Sequence, residues 1–388
     1  MKGRWILPVI GWALLSPAVQ GQEAAKDGPP VPLPSTVRGS AAPSMSPDRR
    51  ISFRLKAPEA TRVEVHCKGS LWGGKPFPLT KDKDGVWTGT SEPAEPGFYY
   101  YELIVDGVAV NDPGSQTYFG WARETSGLDI PGPAYDFCES KAVPHGEVRT
   151  RVYESKVTGT ARRVLVYTPP DYDRDPAVRY PVLYLQHGSG ESERAWSQQG
   201  RVSSILDSLI AEKLAEEMIV VMELGYATKA GAPPGPGSRG NDAFEELVVN
   251  DLVPMIDATY RTRADRDSRA IAGLSMGGGQ AVRIGLGHPD LFASVAALSG
   301  GAAGGANGSR PDGIAKAIAE PAAFNARTKL LWIGSGQQDG GYARTKETHE
   351  ALERAGVTNA WFETAGGHEW GVWRQSLRDL ARRLFKAK

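Results

Sequence analysis

The stretch that most constrains this chain is Ala270 to Gly278, AIAGLSMGG. Its first residues are small or β-branched and read as a buried strand, and Gly278–Gly287 reads as a helix. Between them lies G-x-S-x-G. A strand that turns into a helix through this pattern presents Ser275 at a sharp turn beyond the carboxyl end of the strand. Glycines two residues before and after the serine let the crowded backbone pass. The helix N-terminus that follows favours a developing negative charge. In a chain with 46 glycines the bare pattern is weak, and the strand–turn–helix context gives it weight.

The flanking sequence repeats this rhythm. Strand-like runs fall at 163–167, 182–186, 218–222, 270–272, 294–298, 330–333 and 361–363, with helical stretches at 202–217, 244–260 and 278–287 between them. Alternating strands and helices predict a mainly parallel sheet with helices on both faces, an α/β domain over residues 148–388. Before it the period changes to two. Ile51, Phe53 and Leu55 alternate with polar residues, further strands follow at 86–90 and 98–105, and Asp106-Gly107 is a hairpin turn pair. A small β-sandwich is expected over residues 49–133, joined by a linker at 134–147. Tyr99 and Tyr101 fall on one face of their strand and Tyr100 on the other, so one face is free to meet the second domain.

At the N-terminus, Lys2 and Arg4 precede an apolar run of roughly 11 residues, which is too short to span a bilayer. Small residues follow. Residues 1–21 are expected to be a signal peptide cleaved near Gly21, making the protein secreted or periplasmic. Residues 22–48 hold six prolines and little apolar surface, and are expected to be a tether. No later apolar run reaches 18 residues, so no stable membrane insertion is expected.

Lys plus Arg and Asp plus Glu are both 45. That balance argues against nucleic acid as a partner. Two cysteines cannot form a disulfide scaffold or a four-thiolate zinc site, and six scattered histidines lack metal-ligand spacing. Neither metal nor cofactor is expected. Cys67 and Cys138 flank the sandwich, and the sequence leaves open whether they are bridged.

A serine hydroxyl needs a base to act as a nucleophile. Of the six histidines, His368 stands in Gly366-Gly-His368-Glu-Trp370, just after the last strand-like run, where flanking glycines let a loop reach over the sheet edge. Asp339 follows the strand-like run at 330–333 and completes the order Ser, Asp, His. Stabilisation of a tetrahedral oxyanion needs two backbone N–H groups. Met276 is one candidate, and Ser189 or Gly188 in His187-Gly-Ser-Gly190 is the other. Near these loops, Trp370 and Trp196 are candidates to pack against substrate, and Glu191 and Arg201 to hydrogen-bond it. Trp373 reads as an anchor for the C-terminal helix.

Two resemblances follow from these residues. FRLKAPEATRVEV, DGVWTGT and PGFYYYELIVDGVAVNDPGS resemble the immunoglobulin-like domain, of the glycogen-binding or early-set type, found before some carbohydrate esterases and glycogen-branching enzymes. That likeness makes Trp72 a candidate glucan contact, with core packing as the other reading. RRVLVYTPPDYD, YPVLYLQHGSGESERAW, RAIAGLSMGGGQA, WIGSGQQD and AGGHEWGVWRQSL resemble the esterase D-type carbohydrate esterases of carbohydrate esterase family 1. The likeness implies an α/β-hydrolase fold and a serine esterase acting on ester-substituted carbohydrate, feruloyl esters being favoured. Acetylxylan esterase, an enterochelin-type siderophore esterase or acyltransferase, and a non-catalytic carbohydrate-binding protein are the alternatives. Gln186 before His187 and the proline-rich stretch 230–240 depart from the common pattern and leave substrate choice open. Oligomeric state is not legible.

Overall fold

Eight strands form the sheet that carries the site. In spatial order they are Glu147–Ser155, Thr160–Thr168, Ile219–Glu223, Val182–Gln186, Arg269–Leu274, Ser294–Leu298, Leu330–Gly336 and Ala360–Thr364. The first two pair antiparallel with their neighbours, and the remaining six run parallel. The computed structural model describes residues 28–232, 241–300 and 311–386. The expected signal peptide lies outside the described residues.

The inner strands are buried end to end, as Val182–Gln186, Ile219–Glu223 and Ser294–Leu298 illustrate. Such strands carry near-continuous apolar runs because helices cover both faces. One face packs on a core that includes Phe244, Leu252, Ile256 and Ile284. The other packs on Leu206, Trp196, Trp370 and Leu377. The helical region expected at 244–260 is a continuous run, Asn241–Leu247, a π-helical turn Val248–Leu252, and Val253–Thr259. The α/β-hydrolase architecture expected from the sequence is the one observed.

The N-terminal region is a two-sheet all-β sandwich. One sheet contains Arg50–Lys56 and Val86–Pro93, the other Val63–Cys67, Gly97–Val105 and Arg123–Ile130. Its core is built from Ile51, Phe53, Val63, Val65, Tyr101, Leu103 and Leu128. Where residues 28–48 were expected to be a tether, they form part of this domain. Val31–Pro32 and Ser44–Met45 extend the first sheet, and Leu33 and Ser35 are buried. The segment compensates for its low apolar content with hydrogen bonds: Ser35 Oγ accepts the Asp129 N–H, and Thr36 Oγ1 donates to the Pro43 carbonyl.

The expected linker also differs. Pro133–Cys138 is a 3-10 turn whose Phe137 and Cys138 are buried in the hydrolase core. The next strand, Glu147–Ser155, begins inside the expected linker. Its exposed face carries Val148 and Val152 while Arg149 and Tyr153 share the inner one, so it lacks the apolar-in, polar-out alternation by which a half-buried strand is read. Cys67 and Cys138 are free and buried, one in the sandwich core and the other against the hydrolase.

The strand Gly97–Val105 joins the two regions. Tyr99, Tyr101 and Leu103 enter the sandwich core, whereas Phe98 and Tyr100 enter the core shared with the hydrolase. Around this apolar seam lies a buried ionic one. Arg374, 1% exposed, donates from Nη1 to Asp129 Oδ1 at 3.0 Å and from Nε to the Gln199 carbonyl at 2.7 Å. Arg201 donates from Nε to the other Asp129 oxygen at 3.0 Å.

Candidate active site

Ser275 ends the fifth strand in the sheet and begins the helix Met276–Gly287 with φ 51° and ψ −113°. This conformation is costly for a residue with a side chain, and the surroundings hold it in place. The Ser275 N–H donates to the Leu298 carbonyl at 2.8 Å. A Cβ on Gly273 would overlap the Gly277 backbone, and one on Gly277 would overlap the Gln186 and His187 carbonyls. Both glycines are therefore steric requirements of the turn.

Two loops bring the partners together. The loop after Leu330–Gly336 and the loop after Ala360–Thr364 are tied by Gln337 N–H to the Thr364 carbonyl and Gln338 N–H to the Gly366 carbonyl, at 2.9 and 3.0 Å. His368 Nδ1 lies 2.7 Å from Asp339 Oδ2, and His368 Nε2 lies 2.9 Å from Ser275 Oγ. An ionised Asp339 requires the proton on Nδ1, which leaves Nε2 as the acceptor for the serine hydroxyl. Burial opposes the Asp339 charge. Hydrogen bonds from His368 and from the Gly341 N–H outweigh it and hold the carboxyl below its ordinary value.

His187 does not belong to this chain of hydrogen bonds. Its Nδ1 bonds the Gly188 carbonyl at 2.7 Å and its Nε2 accepts the Gly225 N–H at 2.9 Å. Burial pushes the imidazole down to about 4, so it is a neutral structural ring.

Three oxyanion donors were candidates. Gly188 is excluded, because its N–H is bound to Glu191 Oε2 at 3.0 Å. The Gly190 N–H is likewise bound to the Tyr226 hydroxyl at 2.7 Å. The Ser189 N–H has no partner among the described residues. Met276 opens its helix, where an N–H has no intrahelical acceptor.

A cavity of about 450 Å³ opens over Ser275. Gly188–Glu191, Leu274, His368, Trp370 and Trp373 line it from the hydrolase, and Lys68, Phe98, Tyr99, Tyr100 and Trp121 from the sandwich. Trp121 is 60% exposed at its rim. The sequence reading missed the sandwich half, although the inward face of Gly97–Val105 carried the signal.

The substrate-binding candidates divide. Trp370 lines the cavity, buried, with its ring edge-on to both Trp196 and Trp373. Trp196 does not reach the cavity. It is 1% exposed in the core and donates to the Gln186 carbonyl at 2.9 Å. Arg201 does not reach it either, being held in the domain seam by Asp129. Glu191 lines the cavity, but its oxygens are occupied by protein donors. Trp373, expected only to anchor the last helix, also lines the cavity and meets His368 edge-on at 5.1 Å. Trp72 packs edge-on against Phe53 and Phe77, and its Nε1 donates to the Glu92 carbonyl, as expected of a packing residue.

Fold and site together define an α/β-hydrolase esterase preceded by an immunoglobulin-like domain. The Esterase family model matches residues 155–384, and the chain belongs to that family. The carbohydrate-binding module 48 (isoamylase N-terminal domain) model matches residues 40–118. An endo-1,4-beta-xylanase/feruloyl esterase of Xylanibacter ruminicola is 37% identical over 364 residues, 92% of this chain and 47% of that protein. The chain thus spans about half the length of that relative. A ferulic acid esterase from Anaeromyces mucronatus is 26% identical in structural alignment over 64% of this chain and 93% of that one, with a TM-score of 0.54. The enterobactin esterase of Shigella flexneri shares the fold over 87% of this chain and 94% of its own, with a TM-score of 0.63 at 19% identity. Among the described residues no helix is long and apolar enough to cross a membrane.

Proposed function

We propose that this protein is an exported serine esterase that removes feruloyl groups from plant cell-wall polysaccharides or their oligosaccharides. The observation that carries the reading is the cavity over Ser275, whose walls include Phe98, Tyr99, Tyr100, Trp121, Trp370 and Trp373. Planar aromatic walls suit a planar aromatic acyl group, which stacks on ring faces or meets ring edges. An acetyl group would use little of that surface. The names of the xylanase/feruloyl esterase and ferulic acid esterase relatives point the same way.

In this reading His368 takes the Ser275 proton as the hydroxyl attacks the ester carbonyl. The tetrahedral oxyanion is held by the Met276 and Ser189 N–H groups. His368 returns its proton to the departing sugar oxygen and leaves a feruloyl-serine. A water then gives a proton to His368 as its oxygen attacks the acyl carbon, the bond to Ser275 Oγ breaks, and His368 returns the proton to Ser275 as ferulate leaves. Asp339 holds the imidazole in one tautomer and stabilises the imidazolium in both halves. The basic, apolar and small-residue zones of residues 1–21 support export.

The test is release of ferulate and of acetate from matched feruloylated and acetylated xylan oligosaccharides, with Ser275→Ala as control. The reading expects ferulate release that Ser275→Ala abolishes. Acetate alone would favour acetylxylan. Neither product would shift weight to a siderophore ester, an acyl acceptor other than water, or a binding protein. Export is checked by the mature N-terminus, expected near residue 22.

A further inference from the structure

Glu191 is 6% exposed and has no cationic partner among the described residues. Its carboxylate is held by three donors from three parts of the molecule. Oε2 accepts the Gly188 N–H at 3.0 Å, from the loop that also carries Ser189. Oε1 accepts Trp370 Nε1–H at 3.0 Å, two residues beyond His368. Oε1 also accepts the Tyr100 hydroxyl at 3.2 Å, from the sandwich. Tyr100 is oriented in turn, because its oxygen receives Gln199 Nε2–H at 2.7 Å and its own proton is directed to Glu191.

A buried carboxylate without a cation is costly, and an apolar residue would fill the same volume more cheaply. Its position explains what it does instead. By binding the Gly188 N–H, Glu191 removes that donor from the cavity and fixes the turn in which the Ser189 N–H is left without a partner. The backbone of the sandwich braces the same turn, since Ala122 N–H donates to the Gly190 carbonyl at 2.8 Å.

We propose that Glu191 is a positioning residue for acyl transfer, and that the sandwich domain completes the active site through Tyr100: Tyr100 sets Glu191, and Glu191 sets the loop that carries the Ser189 N–H. The inference rests on Ser275 being the nucleophile. It gives the β-domain a part in chemistry on any ester, with or without a glycan.

The experiment uses the full chain and p-nitrophenyl acetate, an ester with no sugar for the sandwich to bind. Glu191→Gln keeps the volume and one acceptor oxygen. It is expected to lower kcat about 10- to 100-fold with KM changed less than about twofold, the signature of a lost transition-state interaction. Glu191→Ala is expected to fall further. Tyr100→Phe should lower kcat about 3- to 10-fold, and the double variant should lose no more than Glu191→Gln alone, because both act through one carboxylate. A kcat within about twofold of wild type for folded Glu191→Gln overturns the proposal, as does full additivity of the two changes. If the Glu191 variants do not fold, Tyr100→Phe decides: an unchanged kcat overturns the proposal, and a fall at constant KM supports it. Labelling by a fluorophosphonate separates the two levels of inference. Unlabelled wild type would refute Ser275 as nucleophile, whereas equal labelling rates for wild type and Glu191→Gln would refute the positioning role alone.

Discussion

Replacing Asp129 by alanine tests how the two domains are held around one cavity. The carboxylate lies between two guanidiniums, Arg374 Nη1 on one oxygen and Arg201 Nε on the other, each at 3.0 Å. The Asp129 side chain is 5% exposed and that of Arg374 1%. Without Asp129, Arg374 retains the Gln199 carbonyl and a distant Cys138 sulfur at 3.8 Å, and carries an uncompensated buried charge. Breaking a buried pair in this way costs about 3–5 kcal/mol. Arg201 is more exposed at 24% and relaxes toward solvent, so it adds little. For a domain of 150–250 residues each kcal/mol moves the melting temperature by about 2–4 °C, so Asp129→Ala should melt roughly 6–20 °C lower.

The pH dependence fixes the cause. Burial would raise the Asp129 carboxyl, but Arg374 and Arg201 hold it below the usual carboxylate range. Its contribution is therefore complete above the unfolded value of about 3.9 and is lost as the pH falls through the lower folded value. Thermal denaturation followed by circular dichroism should show a constant gap between wild type and Asp129→Ala from about pH 5 to 8, narrowing under acid. A variant that melts within about 2 °C of wild type at neutral pH would refute the reasoning, as would a gap that widens under acid.

Further outcomes follow from the site. Asp339→Asn should leave binding intact and lower kcat by about 10⁴-fold, because the amide favours the wrong imidazole tautomer; steady-state kinetics on a soluble ester check it. Gly277→Ala drives a Cβ into the Gln186 and His187 carbonyls, and the displaced serine should lose about a hundredfold in kcat while circular dichroism stays native. Burial pushes the Glu191 carboxyl up to about 7, so the folded state keeps this proton to higher pH than the unfolded chain. Its contribution is full below the unfolded value of about 4.3 and is lost as the pH rises toward 7, a change of about 3 kcal/mol. Urea titrations should therefore give Glu191→Gln a flatter stability profile than wild type between about pH 5 and 7.5.

The parts legible in the sequence are those set by local chemistry. Buried parallel strands need continuous apolar runs, so Val182–Gln186 and Ser294–Leu298 could be read directly. The turn at Ser275 needs glycines for steric reasons and could be read for the same cause. The loops of Asp339 and His368 could be read because they follow strands and carry glycine. What escaped depends on tertiary placement. Residues 28–48 are proline-rich and poor in apolar groups, yet Ser35, whose Oγ accepts the Asp129 N–H, and Val37, whose N–H donates to the Gly114 carbonyl, fix them to the sandwich. Trp196 and Arg201 lie close to the active-site loop in sequence, but one points into the core and the other into the domain seam. The alternation of Gly97–Val105 marked one face for the second domain, but no local pattern shows that this face would line the cavity or that Lys68 and Trp121 would join it.

The most direct test of the account is to trap the acyl-enzyme. The protein is mixed with a feruloylated oligosaccharide, quenched in acid within one turnover, and analysed by intact and peptide mass spectrometry. The account predicts a single feruloyl group on the peptide containing Ser275, absent from Ser275→Ala. Ferulate release with no adduct, or an adduct on another residue, would contradict it.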